Sequence, residues 1–426
     1  MWSKPWKFAE GITIGAGLIL VGLMLQFTIG PIDWRLLAYP FNTILLAIYV
    51  LVLGVLYAVR KHVYVIEWTM TVNAAVPALA YGVLVTLLMG LSGWDQMLRS
   101  WPFTLVYIWL MNILGLITIR RILHFTQGGI VRNLCFICNH LGLFMAMVCG
   151  TLGYADMQKY RLTAKVDQPE WRAIDLVGTL MPPKVVELPL AIELHDFTID
   201  EYPPKYVVID NETGMIVADS PWRIRQDSIW EYAAIVYGRK DSLGNQDMDR
   251  YVEWPSMGAC TAGFITATRY ASAEEASEGR GSVLETKQGW VSCGSFMFPY
   301  KALLLDSLYS AVMPDREPKR YASDVTVYAA NNQKMEGIIE VNKPLEIDGW
   351  KIYQVSYDSA LGRWSDISVF ELVRDPWLPW VYAGIYIMLA GAVLTFITAG
   401  RNKKYLCSSP GNTSHISPSP RYYCGR

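Results

Sequence analysis

The sequence predicts a polytopic α-helical membrane protein of about six transmembrane helices, with a large, mostly β extracytoplasmic domain between the last two helices. Hydrophobic residues make up 52% of the 426 residues and charged residues only 18%, which is too apolar for an ordinary soluble protein. Six apolar stretches are long enough to cross a bilayer. The long interval after the fifth stretch alternates apolar and polar residues, as β-strands do.

The six predicted spans follow from length and polarity. A bilayer core about 30 Å thick requires roughly 20 helical residues. The stretches that meet this requirement are residues 11–30, 36–59, 74–92, 102–119, 134–154 and 378–399. No small-residue cleavage site follows the first stretch, so we interpret it as a retained span rather than a signal peptide.

Basic residues in the short loops predict the orientation. They cluster on one side of the predicted bundle, at Lys4, Lys7, Arg60, Lys61, Arg120, Arg121, Arg132, Arg401, Lys403 and Lys404. The alternate short loops carry only Arg35 and Arg99. The positive-inside rule therefore predicts that both termini are cytoplasmic and that the long interval lies outside.

The spans divide the chain into five predicted parts. They are two N-terminal helices (1–60), three further helices (61–154), the extracytoplasmic β-rich domain (155–377), the last helix (378–400) and a cytoplasmic Ser/Pro-rich tail (401–426). Within the β-rich domain the clearest strand patterns are VVELPLAIELHDFTIDEYPPKYVVIDNETG, YASDVTVYAA, MEGIIEVNKPLEI, GWKIYQVSY and SDISVFELV, the first with breaks at Pro203-Pro204 and at Asn211 to Gly214. A charged stretch between them, ASAEEASEGRGS, predicts a solvent loop or a short helix.

Cysteines near the start of the fifth span raise the question of a metal or heme site. CFICNH differs from the C-x-x-C-H heme attachment signature because Asn139 follows Cys138 and His140 comes one residue later. A zinc site needs four ligands, and only three candidates are local. Cys135 and Cys138 are therefore better interpreted as helix-packing residues, like Cys149 further along. In the β-rich domain, Cys260 and Cys293 leave a disulfide open, since the predicted compartment is oxidising.

His140 is the candidate functional residue because an ionisable side chain within a span is costly and rare. Two interpretations stay open. One is a functional site, and the other is a neutral imidazole bonded to a neighbouring helix, for instance to Asn112. The apolar residues on the same helix face would suit a flat porphyrin, a lipid or another helix. They are Phe136, Ile137, Leu143, Phe144 and Met147. Met147 lies about 10 Å along the same face, so a second axial ligand must come from another span or chain.

The remaining histidines are weaker candidates. His62 and His124 fall in basic loops, His195 in a strand pattern and His415 in the tail. No nucleotide-binding Gly-rich loop, Ser-His-Asp order or H-E-x-x-H motif is present, and we expect no nucleic-acid partner.

Motifs in the last third of the chain resemble the C-terminal signature of the ResB (CcsB) family of cytochrome c biogenesis proteins. They are Ser323-Asp324-Val325, Val341 to Leu345, Gly349, Tyr353-Gln354, Ser356-Tyr357-Asp358 and Asp375-Pro376. NHLGLFMAMVCGTLG and LPLAIELHDFTIDEYPP also resemble that family, so the resemblance extends over much of the chain. The family core has four spans, and we interpret residues 1–60 as a lineage-specific addition.

The resemblance implies a subunit of the system II cytochrome c synthetase in the bacterial inner membrane, which moves heme b across the membrane and presents it to apocytochrome c. It implies that His140 is an axial ligand to the heme iron. The implied partners are a Trp-rich membrane subunit of the CcsA (ResC) type, apocytochrome c and a thioredoxin-like thiol reductant. The chain has 16 Trp but no Trp-rich heme-handling block, so we expect it to bind heme without performing the ligation alone.

Two other classes of function remain as alternatives. One is a non-enzymatic membrane anchor or sensor whose β-rich domain binds a partner and whose His140 is only packed. The other is a transporter of a different substrate, against which the scarcity of intramembrane charges argues. Heme content separates both from the first hypothesis.

Overall fold

The computed structural model describes residues 2–92, 98–127, 129–176, 184–240, 242–244, 247 and 249–406. These residues form two compact units, one of helices and one mainly of strands. The predicted fold class is confirmed: six helices are long and apolar enough to cross a membrane, and a large β-rich domain lies between the fifth and sixth of them.

The described residues contain eight α-helices. They are α1 (Phe8–Thr28), α2 (Phe41–Val59), α3 (Tyr64–Thr69), α4 (Val72–Ser92), α5 (Trp101–Leu123), α6 (Ile130–Gly153), α7 (Ala273–Glu278) and α8 (Leu378–Leu406). All except the short α3 and α7 meet the length and hydropathy of a membrane span. Apolar side chains cover their outer faces, with Phe27 86% exposed, as a lipid environment requires.

Several helix boundaries differ from the sequence-based spans, and α2, for example, begins at Phe41 rather than at residue 36. α1 begins at Phe8 and α6 at Ile130, each before the predicted apolar stretch, because polar residues can extend a helix beyond the hydrocarbon core. α8 continues to Leu406, past the predicted end of its span and into the predicted tail. The rest of that tail, residues 407–426, lies outside the described residues and includes His415.

α5 is the centre of the helical unit, and it contacts α1, α2, α4 and α6. Half of its apolar segment (50%) is buried, more than in any other described span. Its first turn contains Pro102, where a missing backbone N–H costs no helical hydrogen bond. α6 therefore has α5 along one side.

α6 packs most extensively against α8, and glycines allow the two backbones to approach closely. A Cβ added at Gly142 would lie 2.5 Å from the carbonyl oxygen of Gly384 and 2.6 Å from the backbone nitrogen of Met388. A Cβ added at Gly391 would lie 2.7 Å from the backbone nitrogen of Asn139. Small residues at such contacts are the usual basis of helix association in lipid.

The described residues of the β-rich domain form fifteen strands. They are β1 (Gln158–Lys165), β2 (Glu170–Asp175), β3 (Val185–Glu201), β4 (Val207–Asp210), β5 (Trp222–Val236), β6 (Arg250–Glu253), β7 (Cys260–Arg269), β8 (Glu285–Ser292), β9 (Leu303–Leu304), β10 (Tyr309–Val312), β11 (Pro318–Ala329), β12 (Lys334–Glu340), β13 (Leu345–Ile347), β14 (Trp350–Tyr357) and β15 (Ile367–Arg374). The strands expected from the alternating patterns are all present, and the charged stretch contains α7.

Eight strands form one sheet in the order β12-β11-β3-β2-β1-β15-β14-β13. Its two ends meet, since β12 lies against β13 and β14, so the sheet is nearly closed into a barrel. Inward-facing apolar side chains fill it, among them Leu162, Ile192, Leu194, Ile339, Trp350, Ile352, Phe370 and Leu372. Interior side chains of this kind fill small barrels completely.

A buried polar cluster interrupts the apolar interior of the barrel. The Ser323 hydroxyl lies 2.5 Å from Oε1 of Gln354 and 2.7 Å from Oγ of Ser368. Nε2 of Gln354 donates to the carbonyl of Ser356 at 2.8 Å. Each buried polar atom therefore has a partner, as burial requires.

The remaining strands form two small sheets, β6-β5-β7-β8 and β4-β10-β9, which pack face to face. The core between them combines Trp222, Ile265 and Val291 of the first sheet with Val208 and Ala311 of the second. The alternating patterns predicted β4, which follows the break at Pro203-Pro204, but not the other strands of these two sheets.

Candidate functional site: His140 on helix α6

His140 lies well inside α6. The helix begins at Ile130, directly after Gly129, whose φ of 103° lies in a region that favours glycine. His140 comes ten residues after Ile130, so it lies ~15 Å along the axis at 1.5 Å rise per residue. It is deeper in the helix than the apolar stretch alone predicted.

One imidazole nitrogen of His140 is held by its own helix. Nδ1 lies 2.9 Å from the carbonyl oxygen of Phe136, one turn earlier. A carbonyl only accepts hydrogen bonds, so Nδ1 is the donor and carries the proton. In the neutral ring Nε2 then keeps its lone pair, and no hydrogen bond to Nε2 is present among the described residues. This is the tautomer that a metal-binding histidine adopts.

The imidazole ring of His140 also stacks on the Phe136 ring, with centroids 3.7 Å apart and planes 12° apart. The guanidinium of Arg121, near the end of α5, lies 4.5 Å from the centre of the same Phe136 ring. Arg121 also donates to Oδ1 of Asn133 at 3.2 Å. A cation, an aromatic ring and an imidazole thus follow one another along one side of α6.

His140 faces away from α8. Gly142, which contacts α8, is two residues later and so about 200° around the helix axis. Phe144, on the His140 side, stacks on Tyr49 of α2 with centroids 6.2 Å apart. Leu143, on the same side, is 39% exposed. The predicted apolar wall is therefore divided, because Phe144 packs inside the unit and Leu143 is open to the surroundings.

His140 does not bond to Asn112, the partner that the sequence analysis suggested for a packed histidine. Asn112 accepts a hydrogen bond from the Tyr49 hydroxyl at 3.2 Å, and His140 bonds within its own helix instead. A helical histidine can reach the carbonyl four residues earlier, and that local bond satisfies Nδ1 without a second helix.

The cysteines beside His140 lie on the side of α6 that packs on α8. Cys135 is buried and Cys138 half-buried, and both are free thiols. The added Cβ at Gly391 would lie 2.8 Å from Cβ of Cys138. Among the described residues no group of three or more His, Cys, Asp or Glu side chains could hold a metal ion. The packing interpretation of these cysteines fits this geometry.

A large apolar cavity lies further along α6. Its volume is about 630 Å³, and it lies among α2, α4, α5 and α6. Tyr49, Tyr107, Met111 and Met147 are among its lining residues, and His140 is not. Met147 therefore belongs to this cavity rather than to the immediate surroundings of His140.

Asp156 joins three chain segments just beyond the end of α6. Its carboxylate accepts hydrogen bonds from the Tyr39 backbone N–H at 2.7 Å, from Nδ2 of Asn42 at 2.7 Å and from Nε1 of Trp377 at 2.6 Å. Burial alone would raise the pKa of Asp156, but these three donors outweigh it and hold the pKa below its usual value. The sequence analysis missed this cluster, since its members are far apart in the chain.

Cys260 and Cys293 are free thiols, so the disulfide that the sequence left open is not formed. Ser292 pairs with Ala262 across β7 and β8, which puts Cys260 on the Ser292 side of the sheet and Cys293 on the other. Accordingly Cys260 packs beside Ala262, whereas Cys293 packs in the core that contains Val291. Burial raises the pKa of both thiols.

The other histidines remain isolated. His62 is exposed, and Nδ1 of His124 lies 2.9 Å from the Arg120 carbonyl at the end of α5. Nε2 of His195 lies 2.7 Å from Oγ1 of Thr326 on the neighbouring strand. Among the described histidines, His140 is therefore the one within a membrane-length helix away from its ends.

Comparison with known proteins identifies part of the β-rich unit. Residues 280–365 match the model of the ResB-like family. No curated protein sequence matches this chain. The matched segment includes β8 to β14 and most of the motifs on which the resemblance rests. The chain thus carries a ResB-like segment beside six helices of membrane-span length, and this match agrees with the resemblance drawn from the sequence motifs.

Proposed function

We propose that this chain is a heme-binding membrane subunit of the system II cytochrome c synthetase and that His140 is an axial ligand to the heme iron. The observation that carries the proposal is the hydrogen bond from Nδ1 of His140 to the Phe136 carbonyl. It fixes the ring against rotation and leaves Nε2 as an iron donor. The ResB-like segment supports the choice of heme over other ligands of a histidine.

The residues around His140 suit a porphyrin in this proposal. Phe136 holds the imidazole plane by stacking, and half-buried apolar side chains exclude water from the donor atom. Arg121 supplies a positive charge beside Phe136, which suits a carboxylate substituent of the porphyrin. Bound heme would be the cargo of the chain, and Nε2 of His140 would donate its lone pair to the iron, which would accept it as a Lewis acid.

A second chain completes the site in this proposal. Because His140 faces away from α8 and Leu143 beside it is exposed, the second ligand comes from a Trp-rich membrane subunit of the CcsA type. Both termini are cytoplasmic and the β-rich unit is outside, in line with the loop charges. Apocytochrome c and a thioredoxin-like reductant then meet the β-rich unit on that side of the bacterial inner membrane.

The test is an absorption spectrum of the complex purified after co-expression with the Trp-rich subunit. We expect a six-coordinate Soret band that weakens or shifts in His140→Ala and returns when imidazole is added. His124→Ala is the matched control, because His124 makes the same type of bond to the carbonyl four residues earlier but lies at a helix end. Its spectrum should equal that of the wild type.

A membrane anchor or sensor is the alternative. It is favoured by the fact that His140 already has a hydrogen bond and a stacked ring within its own helix. A wild-type complex without heme, or a His140→Ala spectrum that equals the wild-type spectrum, would support this alternative and contradict the heme proposal.

A further inference from the structure

Strand β5 of the β-rich unit has an open edge. On one side β7 pairs with it from Trp222 to Ala233. On the other side β6 pairs only with residues Ala233 to Val236, and Trp254 adds one bond to Tyr232. Within the part of the chain that the structure describes, the first ten residues of β5 thus have a strand partner on one side alone.

The backbone groups that face this open edge can be assigned from the pairing. The N–H of Tyr270 donates to the carbonyl of Pro221 at 2.9 Å, so Pro221 faces the β7 side. Backbone groups alternate in direction along an antiparallel strand, so residues 222, 224 and 226 face the open side. Trp222 agrees, because its N–H turns back to Oγ of Ser220 at 3.1 Å rather than to β7. Ile224 and Gln226 then present their N–H and C=O groups outward.

Trp222 and Ile224 pack on the core between the two small sheets, and the residues after them are exposed. Arg225, Gln226, Asp227 and Ser228 are all exposed, and the pairing with β7 shifts register between Gln226 and Ser228. Such a bulge twists an edge strand and usually marks a place where pairing changes. Nothing in the described residues therefore covers this edge as a strand would.

A polar cleft of about 790 Å³ is lined by the first residues of β5, Trp222 to Ile224. On one side of it lies the segment after β4, where the N–H of Val217 donates to the Val208 carbonyl at 2.9 Å. On the other side lies α7, and Arg223 reaches across to the Ser277 carbonyl at 3.5 Å. The first residues of β5 line the cleft between these two walls. A chain in the cleft would thus meet the outward-facing backbone of β5 at Trp222 and Ile224.

We propose that this cleft binds an extended segment of an unfolded polypeptide, which adds to β5 as a strand along residues 222–226. Free backbone N–H and C=O groups at strand spacing recognise another extended backbone, and they accept many side-chain sequences. An unfolded chain offers such a backbone, whereas most strands of a folded protein are already paired. The choice of polypeptide, a heme-free c-type cytochrome chain, rests on the proposed function.

The experiment is hydrogen exchange of the intact protein in detergent, with and without an unfolded, heme-free cytochrome c polypeptide as the probe. We expect slower exchange of the peptide that covers residues 222–230, and no change when the folded, heme-containing cytochrome is added instead. Equal exchange with and without the unfolded chain, or equal protection by the folded form, would overturn the proposal.

Two variants separate backbone pairing from side-chain contact. Ile224→Pro removes the outward N–H at a position where an edge strand tolerates proline, and it should weaken binding of the unfolded chain roughly tenfold. Ile224→Ala keeps the N–H and should bind nearly as the wild type does. If the two variants bind equally well, strand addition is wrong. The Soret band should be unchanged in both variants, so failure here is distinct from failure of heme binding.

Discussion

Replacement of Gly142 by alanine tests the close packing of α6 on α8, the contact that holds the helix carrying His140. The added Cβ would lie 2.5 Å from the Gly384 carbonyl oxygen and 2.6 Å from the Met388 backbone nitrogen. Both are backbone atoms, so no side chain can rotate away, and the helices must separate by about 1 Å to restore a normal contact. Atom pairs that are separated by such a gap lose roughly a quarter to a half of their dispersion energy.

The cost of the close contact is measured as the difference in unfolding free energy between two alanine variants on the same helix. Gly→Ala in a helix is worth up to about 1 kcal/mol in propensity, which partly hides the cost of the clash. Gly150→Ala gains the same propensity, but its Cβ would meet only Cγ2 of Val381, at 4.0 Å. The difference between the variants therefore isolates the overpacking cost, which we expect to be ~1–3 kcal/mol.

The assay is unfolding of the full chain by SDS in mixed micelles, followed by tryptophan fluorescence. Gly142→Ala should be less stable than Gly150→Ala by the stated amount. If the two variants differ by less than about 0.5 kcal/mol, the ordinary scatter of surface substitutions, then the backbones of α6 and α8 do not approach as closely as described.

Three further predictions concern other parts of the chain. The pKa of Asp156 lies below its usual value of 3.8, so the stabilising effect of its carboxylate is complete above that pH and is lost as the pH falls further. The acid-dependent drop in melting temperature should therefore be smaller in Asp156→Asn than in the wild type. An equal drop in the two proteins would contradict the hydrogen-bonded cluster around Asp156. Ser323→Ala removes the hydrogen-bond partner of buried Gln354 and Ser368 and should lower the unfolding free energy by ~1–3 kcal/mol. The control Ser356→Ala, at an exposed position, should change it by no more than about 0.5 kcal/mol. Similar losses in the two variants would refute burial as the cause. Peptide mapping without reductant should find Cys260 and Cys293 unlinked, and a linked peptide would show that the strand register is different.

Much of the fold could be predicted from local sequence patterns. Hydropathy and length identified all six spans, since each membrane helix must satisfy its own backbone hydrogen bonds within one continuous segment. Period-two alternation identified most of the barrel strands, because each of them has one face in the core. Most strands of the smaller sheets were not predicted; β7, for example, is buried along most of its length, so it has no period-two pattern.

Some features of the candidate site depend on one helix alone, and others depend on how two helices pack. The position of His140 within a span follows from the sequence of α6, whereas its bond to the Phe136 carbonyl was not predicted, since the sequence analysis suggested Asn112 instead. The placement of Arg121 over Phe136 depends on how α5 packs against α6, and no periodicity encodes that contact. Sequence reasoning therefore singled out His140 but not the charge beside Phe136.

The sequence by itself determined the membrane class, the order of spans and strands and the one histidine inside a span, because these follow from interactions within a single segment. Only the tertiary structure decided which residues meet across the chain. Asp156 joins Tyr39 and Trp377, which are 117 and 221 residues away, and the β7–β8 register puts Cys260 and Cys293 on opposite faces. Such contacts depend on the packing and pairing of whole elements, which local patterns of polarity do not specify.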